Sequence, residues 1–432
     1  MEYYFLFLLL FLGLVAVFDI FVGVSNDAVN FLNSALGCRI ASFKTVMLVA
    51  SVGVMLGATF SSGMMEIARS GVFNPQMFSF SEIMVVFFAV MVTDIILLDA
   101  FNSLGLPTST TVSIVFELLG SALAAAAYTL ILEGASLVEV ADYINSSRSL
   151  TIISGILISV AVAFVAGTVV QYIARLIFTF NFEKMYRLVG GVYAGFCLTA
   201  IFYFLVMKGA KGASFMRPEW INYMDANTWP IVISLFVALS VIFQILIMLT
   251  QVNIFKIVIL AGTFSLAFAF AGNDLVNFVG VPLAAWDSYK EWAASGAAPE
   301  LFTMEGLLKP TVAATGFLLF AGLVMVLTLW FSRKAQIVIQ TSINLSSSNS
   351  GEQEQFGSSL PGRMIVRASM GLGKVIQQII PSGVQKGIDK RFEPKKLVHG
   401  ETPLPFDYVR ASINLVVSAI LIASATSLKL PL

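Results

Sequence analysis

Charged side chains and histidine are scarce in this chain. Of its 432 residues only 12% are charged and one is a histidine, His399, whereas 58% are hydrophobic and the mean hydropathy is +0.89. A soluble domain is about a quarter charged. The formal net charge of zero provides no basic field for nucleic acid, and two cysteines without a metal or redox spacing leave no cysteine-based site. The composition therefore indicates an integral membrane protein.

Long apolar stretches follow one another along the chain. A helix needs about 20 apolar residues to cross a bilayer, and no stretch alternates as the strands of an outer-membrane barrel do. The sequence therefore predicts an all-α integral membrane protein with about ten transmembrane helices. They are expected near 4–25, 44–65, 82–101, 112–132, 151–178, 188–207, 229–250, 254–270, 310–331 and 411–428.

The distribution of lysine and arginine predicts the orientation. Basic residues are concentrated in 333–410 and in the linker 175–187, whereas 133–150 and 287–308 are acid-rich. Because basic linkers stay on the cytoplasmic side, the N-terminus is expected outside and 333–410 in the cytoplasm. The linker 208–228 is an exception, since it is basic and is expected outside. The absence of a targeting segment favours a prokaryotic inner membrane.

One six-residue motif occurs twice. Asn26-Asp27-Ala28-Val29-Asn30-Phe31 recurs as Asn273-Asp274-Leu275-Val276-Asn277-Phe278, with five of six positions identical. The predicted topology places the two copies in inverted units, an arrangement common in secondary transporters. Nearby glycines favour broken or re-entrant helices at both copies, and carboxylate and amide oxygens suit small hard cations. Two interhelical hydrogen-bond clusters are the alternative.

The duplication divides the chain into five parts. The first repeat is expected at 1–132, connecting helices at 133–250 and the second repeat at 251–332, continued at 411–432. The basic insert 333–410 lies between the two parts of the second repeat. Within it, 342–355 is expected to be disordered. Further along, 363–380 is expected to form an amphipathic helix, lying on the inner membrane surface or acting as a solvated linker.

A second motif, Leu104-Gly105-Leu106-Pro107-Thr108-Ser109-Thr110-Thr111, is typical of a helix start. Its proline and hydroxyl residues suit a first helical turn, whose free N–H groups can hold an anion. Ordinary packing is the alternative. No lysine or arginine occurs in 1–38 or 82–132, nor between Lys256 and Lys290. A bound anion would therefore need a co-bound cation, which favours symport.

Several further acids lie in apolar surroundings. Asp94, Asp99 and Glu117 flank the Pro-Thr-Ser-Thr-Thr stretch, and Asp19 precedes the first motif. Acids at membrane depth are rare and usually functional. They are candidates for cation coordination or proton exchange; a protonated or amide-paired carboxyl is the alternative.

With these motifs the chain resembles the PiT family of sodium- or proton-coupled inorganic phosphate transporters. The family signature is close to Gly-Ala-Asn-Asp-x-x-Asn, followed by Leu-Pro-x-Ser-Thr-Thr. The resemblance implies phosphate import by alternating access, with no other cofactor than the coupling ion, Na⁺ or H⁺. It implies that cations bind Asp27, Asn30, Asp274 and Asn277. It implies that phosphate contacts Ser109, Thr110 and Thr111, with Asn26 and Asn273 nearby.

Three departures from the family pattern affect these expectations. Val112 stands where the family usually has histidine, and Val54 where many members have glutamate, so the coupling ion stays open. The third is that Ser427 to Leu432 aligns with Ser103 to Thr108, but no second Ser-Thr-Thr follows. The sequence is therefore expected to be a C-terminally truncated fragment.

Other functions stay open at this point. A sulfate or other tetrahedral oxyanion permease would carry similar motifs, and an ion channel or a non-transporting phosphate sensor are alternatives of another class. An enzyme is not expected, because no catalytic set occurs in the spans. The expected partners are inorganic phosphate, the coupling cation and the lipid bilayer; whether the chain forms a homodimer stays open.

Overall fold

The fold is helical throughout the described part of the chain. The computed structural model describes residues 2–61, 69, 71–208, 216–309, 311, 313–347, 357–393 and 404–427. Within these residues there are sixteen α-helices and no strand beyond two isolated bridges. The prediction of an all-α membrane protein is confirmed.

The helices alternate between long apolar spans and short connecting pieces. Their bounds are α1 Glu2–Asp27, α2 Val29–Gly37, α3 Phe43–Thr59, α4 Phe80–Ser103, α5 Thr110–Glu133, α6 Val140–Tyr143, α7 Ser146–Phe178, α8 Glu183–Phe202, α9 Pro218–Ala226, α10 Thr228–Leu249, α11 Ile254–Ser295, α12 Thr315–Phe331, α13 Arg333–Ser346, α14 Leu360–Ile379, α15 Ser382–Arg391 and α16 Tyr408–Ser427.

Each of the ten predicted apolar stretches contains a helix. By length and composition, seven described spans can cross a membrane: α1 together with α2, α4, α5, α7, α8 with its continuation to Lys208, α10 and α11. The pair α12 and α13 forms an eighth, bent by 68° between Phe331 and Arg333. Two shorter apolar helices, α3 and α16, complete the set.

The basic linkers meet at one end of the helix bundle. Arg175, near the end of α7, forms an ion pair with Asp407, just before α16. At the same end, a Cβ on Gly37 would lie 2.3 Å from the Phe406 ring, so α2 ends against the start of α16. The linkers at 37–44 and 175–187 therefore share an end with the last part of 333–410.

The acid-rich linkers meet at the opposite end. The backbone N–H of Phe80 donates to the carbonyl of Phe302 at 2.8 Å, and that of Asn74 donates to Tyr143 at 2.8 Å. These bonds join the start of α4 to both 133–150 and 287–308. The bundle thus separates the basic linkers 37–44 and 175–187 from the acid-rich linkers 133–150 and 287–308.

Two glycines of α3 allow it to pack closely on α11. A Cβ on Gly53 would lie 2.6 Å from the carbonyl oxygen of Phe264, and one on Gly57 would lie 2.2 Å from that of Phe268. Glycine four residues apart is a common way for membrane helices to bring their backbones together. This contact fixes α3 against the helix that carries the second copy of the motif.

The expected helix break is present at the first motif copy only, as a one-residue interruption at Ala28. At the first copy, α1 ends at Asp27 and α2 begins at Val29, and helical hydrogen bonds continue across Ala28. At the second copy, α11 runs without a break from Ile254 to Ser295, with Pro282 inside it. The prediction of a break at the second copy was wrong. A membrane helix tolerates proline when its neighbours satisfy the freed backbone groups.

The first part of the 333–410 insert belongs to the helix bundle. The helix α13 buries Ala335, Val338, Ile339 and Ile343 against α1, α2 and α4. The expectation of disorder from 342 was therefore wrong up to Ser346, because the apolar spacing of this helix outweighs its serine and asparagine content. Residues 348–355 of the expected disordered segment lie outside the described residues. The predicted helix near 363–380 is present as α14.

Candidate functional site

Asn26 holds the loop between α4 and α5. It is fully buried, and its amide donates to the side-chain oxygen of Asn102 at 2.9 Å and to the carbonyl of Leu106 at 3.0 Å. Its own oxygen accepts from the backbone N–H of Thr108 at 2.7 Å. Both amide hydrogens are thus used within the protein. A phosphate contact from Asn26 stays a prediction, and the geometry favours a positioning role.

Asn102 is a site residue that the sequence motifs did not reveal. It is fully buried, accepts from Asn26, and donates to the carbonyl of Val22 at 2.7 Å. The end of α4 is thereby joined to α1 at two points. In the sequence, Asn102 is marked only as a single amide in an otherwise apolar run. Such an amide indicates a site because polar groups are costly at membrane depth.

The first turn of α5 joins the two copies of the motif. Thr110 donates through its hydroxyl to the Asp27 carboxylate at 2.9 Å. The next residue, Thr111, accepts from the side-chain amide of Asn277 at 3.0 Å. Both threonines are buried. Two of the predicted phosphate contacts, Thr110 and Thr111, are thus each bonded to a predicted cation ligand. Thr110 is bonded to Asp27 of the first copy, and Thr111 to Asn277 of the second.

Each motif copy also packs against a residue that precedes the other copy. A Cβ on Gly23 would lie 2.1 Å from the Phe278 ring, and the rings of Phe31 and Phe270 are 5.4 Å apart. Asp27 is buried, whereas Asp274 is half-buried. Residues at the two copies of the motif, which are far apart in the sequence, therefore meet in the bundle interior.

The remaining predicted residues are more accessible. Ser109 is exposed and caps α5, accepting from the backbone N–H of Val112 at 3.3 Å. Asn30 is exposed, and Asn273 is half-buried. A capped helix start leaves further first-turn N–H groups without an intrahelical partner. The site thus offers helix N–H groups, hydroxyls and carboxylates, the mixture expected where an anion and cations bind together.

Within the described residues, no basic side chain pairs with the two motif aspartates. In the described part of the chain, Asp27 and Asp274 take part in no ion pair. Within the same residues, no group of three histidine, cysteine or acidic side chains is arranged to hold a metal ion. The carboxylates, amides and hydroxyls of the two motif copies and of the first turn of α5 are the oxygen ligands that this site offers.

The predicted coupling acids separate into two environments. Asp94 is buried, and its Oδ1 lies 2.7 Å from the hydroxyl of Ser113. Glu117 is also buried, with Oε1 2.8 Å from the same hydroxyl. In contrast, Asp99 is half exposed and pairs with Lys334 of α13 at 2.5 Å. The structure thus brings two of the three acids together and leaves Asp99 apart.

The helix α13 covers the α4–α5 loop on the basic side. The hydroxyls of Ser25 and Ser332 are 2.7 Å apart, which fixes the bend between α12 and α13 beside the first motif. A Cβ on Gly105 would lie 2.9 Å from Ile337 and 3.1 Å from Thr341. Since α2 extends six residues beyond the motif, or about 9 Å at helical rise, the site lies inside the bundle.

Comparison with known proteins agrees with this geometry. No curated protein sequence matches the chain. A solved structure described as "The sodium-dependent phosphate transporter" superposes with a TM-score of 0.62 at 18% identity, covering 98% of this chain and 85% of that one. This likeness concerns the fold. The model of the phosphate transporter family matches residues 23–339, which include both motif copies. The chain belongs to the phosphate transporter family.

Proposed function

We propose that this transporter imports inorganic phosphate together with Na⁺. In this proposal, Na⁺ binds at Asp27 and Asn30 of the first copy and at Asp274 and Asn277 of the second. Phosphate binds at the start of α5. The observation that carries the proposal is that Thr110 and Thr111, neighbours in one helical turn, are bonded to Asp27 and Asn277 respectively.

The charges of the site make a co-bound cation necessary. Phosphate and an ionised carboxylate repel, by about 4 kcal/mol for unit charges 4 Å apart at an effective dielectric of about 20. This corresponds to about a thousandfold loss of occupancy. Among the described residues no arginine or lysine pairs with Asp27 or Asp274, so a cation bound between carboxylate and phosphate would turn this repulsion into attraction.

Sodium fits the oxygen ligands of the site. Carboxylate, amide and hydroxyl oxygens are hard ligands that suit small hard cations. The solved structure with the same fold is named as sodium-dependent. Coupling to a proton instead is the principal alternative, and the experiment below separates the two.

The helix contacts favour two related units. The helix α1 packs against α4 as α11 packs against α16, and α3 packs against α11 as α12 packs against α1. This matches the proposed repeats at 1–132 and at 251–332 with 411–432. Inverted repeats around a shared site are the usual basis of alternating access. The basic end is assigned to the cytoplasm of a prokaryotic inner membrane. Transport would then be inward because the Na⁺ gradient is directed into the cell.

Reconstitution of the full chain into vesicles tests the proposal. We expect labelled phosphate uptake with an inward Na⁺ gradient, and none when K⁺ replaces Na⁺. Uptake that follows a pH gradient without Na⁺ would assign proton symport. Equal inhibition by excess sulfate and by unlabelled phosphate would extend the substrate to tetrahedral oxyanions, and no uptake with any gradient would favour a sensor.

Matched substitutions test the cation sites. Asp27→Asn and Asp274→Asn each remove one negative charge with little change in volume, so we expect both to lose Na⁺-driven uptake. Asp389→Asn makes the same change on the exposed surface of α15 and should retain it. Full uptake by both site variants would contradict the proposed cation ligands.

A further inference from the structure

Two serines, Ser61 after α3 and Ser332 after α12, bond across the proposed repeats. The Ser61 hydroxyl donates to the carbonyl of Gly272 at 2.7 Å, and the hydroxyls of Ser332 and Ser25 are 2.7 Å apart. We propose that these two serines are gate residues, which close the proposed site from opposite sides and separate from their partners in turn during transport. The inference rests on the proposed symport and concerns residues outside its phosphate and cation sets.

The two serines occupy equivalent positions in the sequence. Each directly follows a phenylalanine, Phe60 or Phe331, at the end of an apolar helix of 17 residues. Their partners are equivalent as well, because Ser25 and Gly272 each immediately precede the Asn-Asp pair of one motif copy. This agreement at both ends of both bonds indicates that the duplication includes the contacts.

Each bond joins one proposed repeat to the other. Ser61 belongs to the first repeat and bonds to α11, whereas Ser332 follows α12 of the second repeat and bonds to α1. Inverted repeats place equivalent elements on opposite sides of a shared site. The helix α3 starts after the basic linker 37–44, and α12 starts after the acid-rich linker 287–308. Ser61 therefore lies toward the acidic end and Ser332 toward the basic end, the external and cytoplasmic sides in the proposed orientation.

The contact between Ser332 and Ser25 uses the hydroxyl hydrogens of both. Ser25 donates to the carbonyl of Phe21 at 2.7 Å, and a hydroxyl carries one hydrogen, so Ser332 is the donor between the two serines. The Ser332 oxygen also accepts from the backbone N–H of Ala335 at 3.2 Å, which caps α13. Both serines are buried, and a buried hydroxyl without an acceptor is costly. The contact therefore separates only when water enters from this side.

An ion pair follows each serine along the chain and bonds to a helix of the other repeat. Eight residues after the first serine, the buried Arg69 pairs with Asp287 of α11 at 2.7 Å. Two residues after the second serine, Lys334 pairs with Asp99 of α4 at 2.5 Å. Each gate thus combines a serine bond with an ion pair, and both are broken when that side opens.

The two gates act on the populations of the outward-open and inward-open states. A contact that is present only while one side is closed stabilises the closed state of that side. Loss of one hydrogen bond, worth about 1 kcal/mol, corresponds to about a fivefold change in the open population. Removal of either serine hydroxyl should therefore open its own side about five times more often and leave the other side no more open.

Side-specific thiol labelling of the full chain in oriented vesicles tests the gates without phosphate. The reporters are Ser25→Cys, behind the cytoplasmic gate, and Gly272→Cys, behind the external gate. Each is placed in a chain whose native Cys38 and Cys197 are replaced by alanine. A Cβ on Gly272 would meet nothing closer than 3.8 Å, so the helix can accommodate this side chain. A membrane-impermeant reagent is added to one face of the vesicles at a time.

Each serine variant should affect the reporter on its own side only. We expect Ser332→Ala to raise cytoplasmic labelling of the first reporter about fivefold, and Ser61→Ala to raise external labelling of the second by the same factor. The matched controls Thr59→Val and Thr328→Val remove hydroxyls that bond within α3 and α12 themselves, so they should change neither rate. A variant that merely loosens the protein would raise both rates. Equal increases at both reporters, or none at either, would overturn the inference.

A disulfide tests whether the cytoplasmic gate must open during transport. Ser25→Cys together with Ser332→Cys places two sulfur atoms where the hydroxyls are 2.7 Å apart, within reach of a disulfide under mild oxidation. We expect the cross-link to stop Na⁺-driven phosphate uptake and a reductant to restore it. Uptake that continues at full rate in the cross-linked protein would refute the gate. If the wild type transports no phosphate, the proposed function fails, and the labelling rates still decide the gates.

Discussion

The contact between α3 and α11 predicts that one added methyl group will disturb transport. In Gly57→Ala, the new Cβ would lie 2.2 Å from the carbonyl oxygen of Phe268, whereas ordinary contact begins at 3.4 Å. The two helices would have to separate by about 1.2 Å, because the opposing atom belongs to the backbone and cannot change rotamer. Over-packing of this kind costs about 1–3 kcal/mol.

The displacement reaches the proposed site through α11. Phe268 precedes Asn273 by less than two helical turns, so a shift of about 1.2 Å moves Asp274 and Asn277 relative to the first motif. In enzymes a misplacement of about 1 Å can cost about a hundredfold in rate. We expect Gly57→Ala to reduce Na⁺-driven phosphate uptake at least about tenfold and to lower the midpoint of thermal unfolding.

Two further alanine variants provide the comparison. Gly13→Ala adds the same methyl group to α1, where nothing lies within 4 Å, and should behave as the wild type or be slightly more stable. Gly53→Ala, with a 2.6 Å approach to Phe264, should fall between the two. Uptake and unfolding of Gly57→Ala equal to those of Gly13→Ala would refute the reasoning.

Three other substitutions test the rest of the architecture. Gly23→Ala should impair uptake because its Cβ would meet the Phe278 ring at 2.1 Å, and a second change, Phe278→Leu, should restore it; no restoration would contradict direct packing of the two motif copies. Asn26→Ala removes three hydrogen bonds, at about 1–3 kcal/mol for each buried group left unsatisfied, and should abolish uptake. The control Asn33→Ala should retain uptake, because it loses only a 3.4 Å bond to Ser342 and a 3.1 Å bond from the adjacent Ser34. Met370→Trp places an indole on the exposed apolar face of α14, and brominated anionic lipids should quench its fluorescence; unquenched emission would assign α14 as a solvated helix.

The duplicated motif was the part of the site most open to prediction. Its acids and amides are costly in apolar surroundings, so two matched copies indicated a common site. The structure brings Asp27 and Asn277 to neighbouring threonines of α5. Asn102 was not predictable in the same way, because its partner Asn26 is distant in sequence and a single amide has no repeat to mark it.

Side-chain convergence across helices was the main feature that the sequence could not supply. Asp94 and Glu117 were both candidates, but their meeting at Ser113 depends on how α4 and α5 rotate against each other. The helix α13 was a different case. Ala335, Val338 and Ile339 follow helical spacing, so the signal was present but was outweighed by the polar composition of the segment.

The attachment of adjacent threonines to opposite motif copies limits how the two halves of the protein can move apart. One rigid helical turn cannot follow both halves, so separation must break either the Thr110–Asp27 or the Thr111–Asn277 bond while the other survives. Because α5 lies almost entirely in the proposed first repeat, 1–132, the bond that would break is the one between Thr111 and Asn277 of α11. A label at the first turn of α5 would then report the distance between this turn and α11.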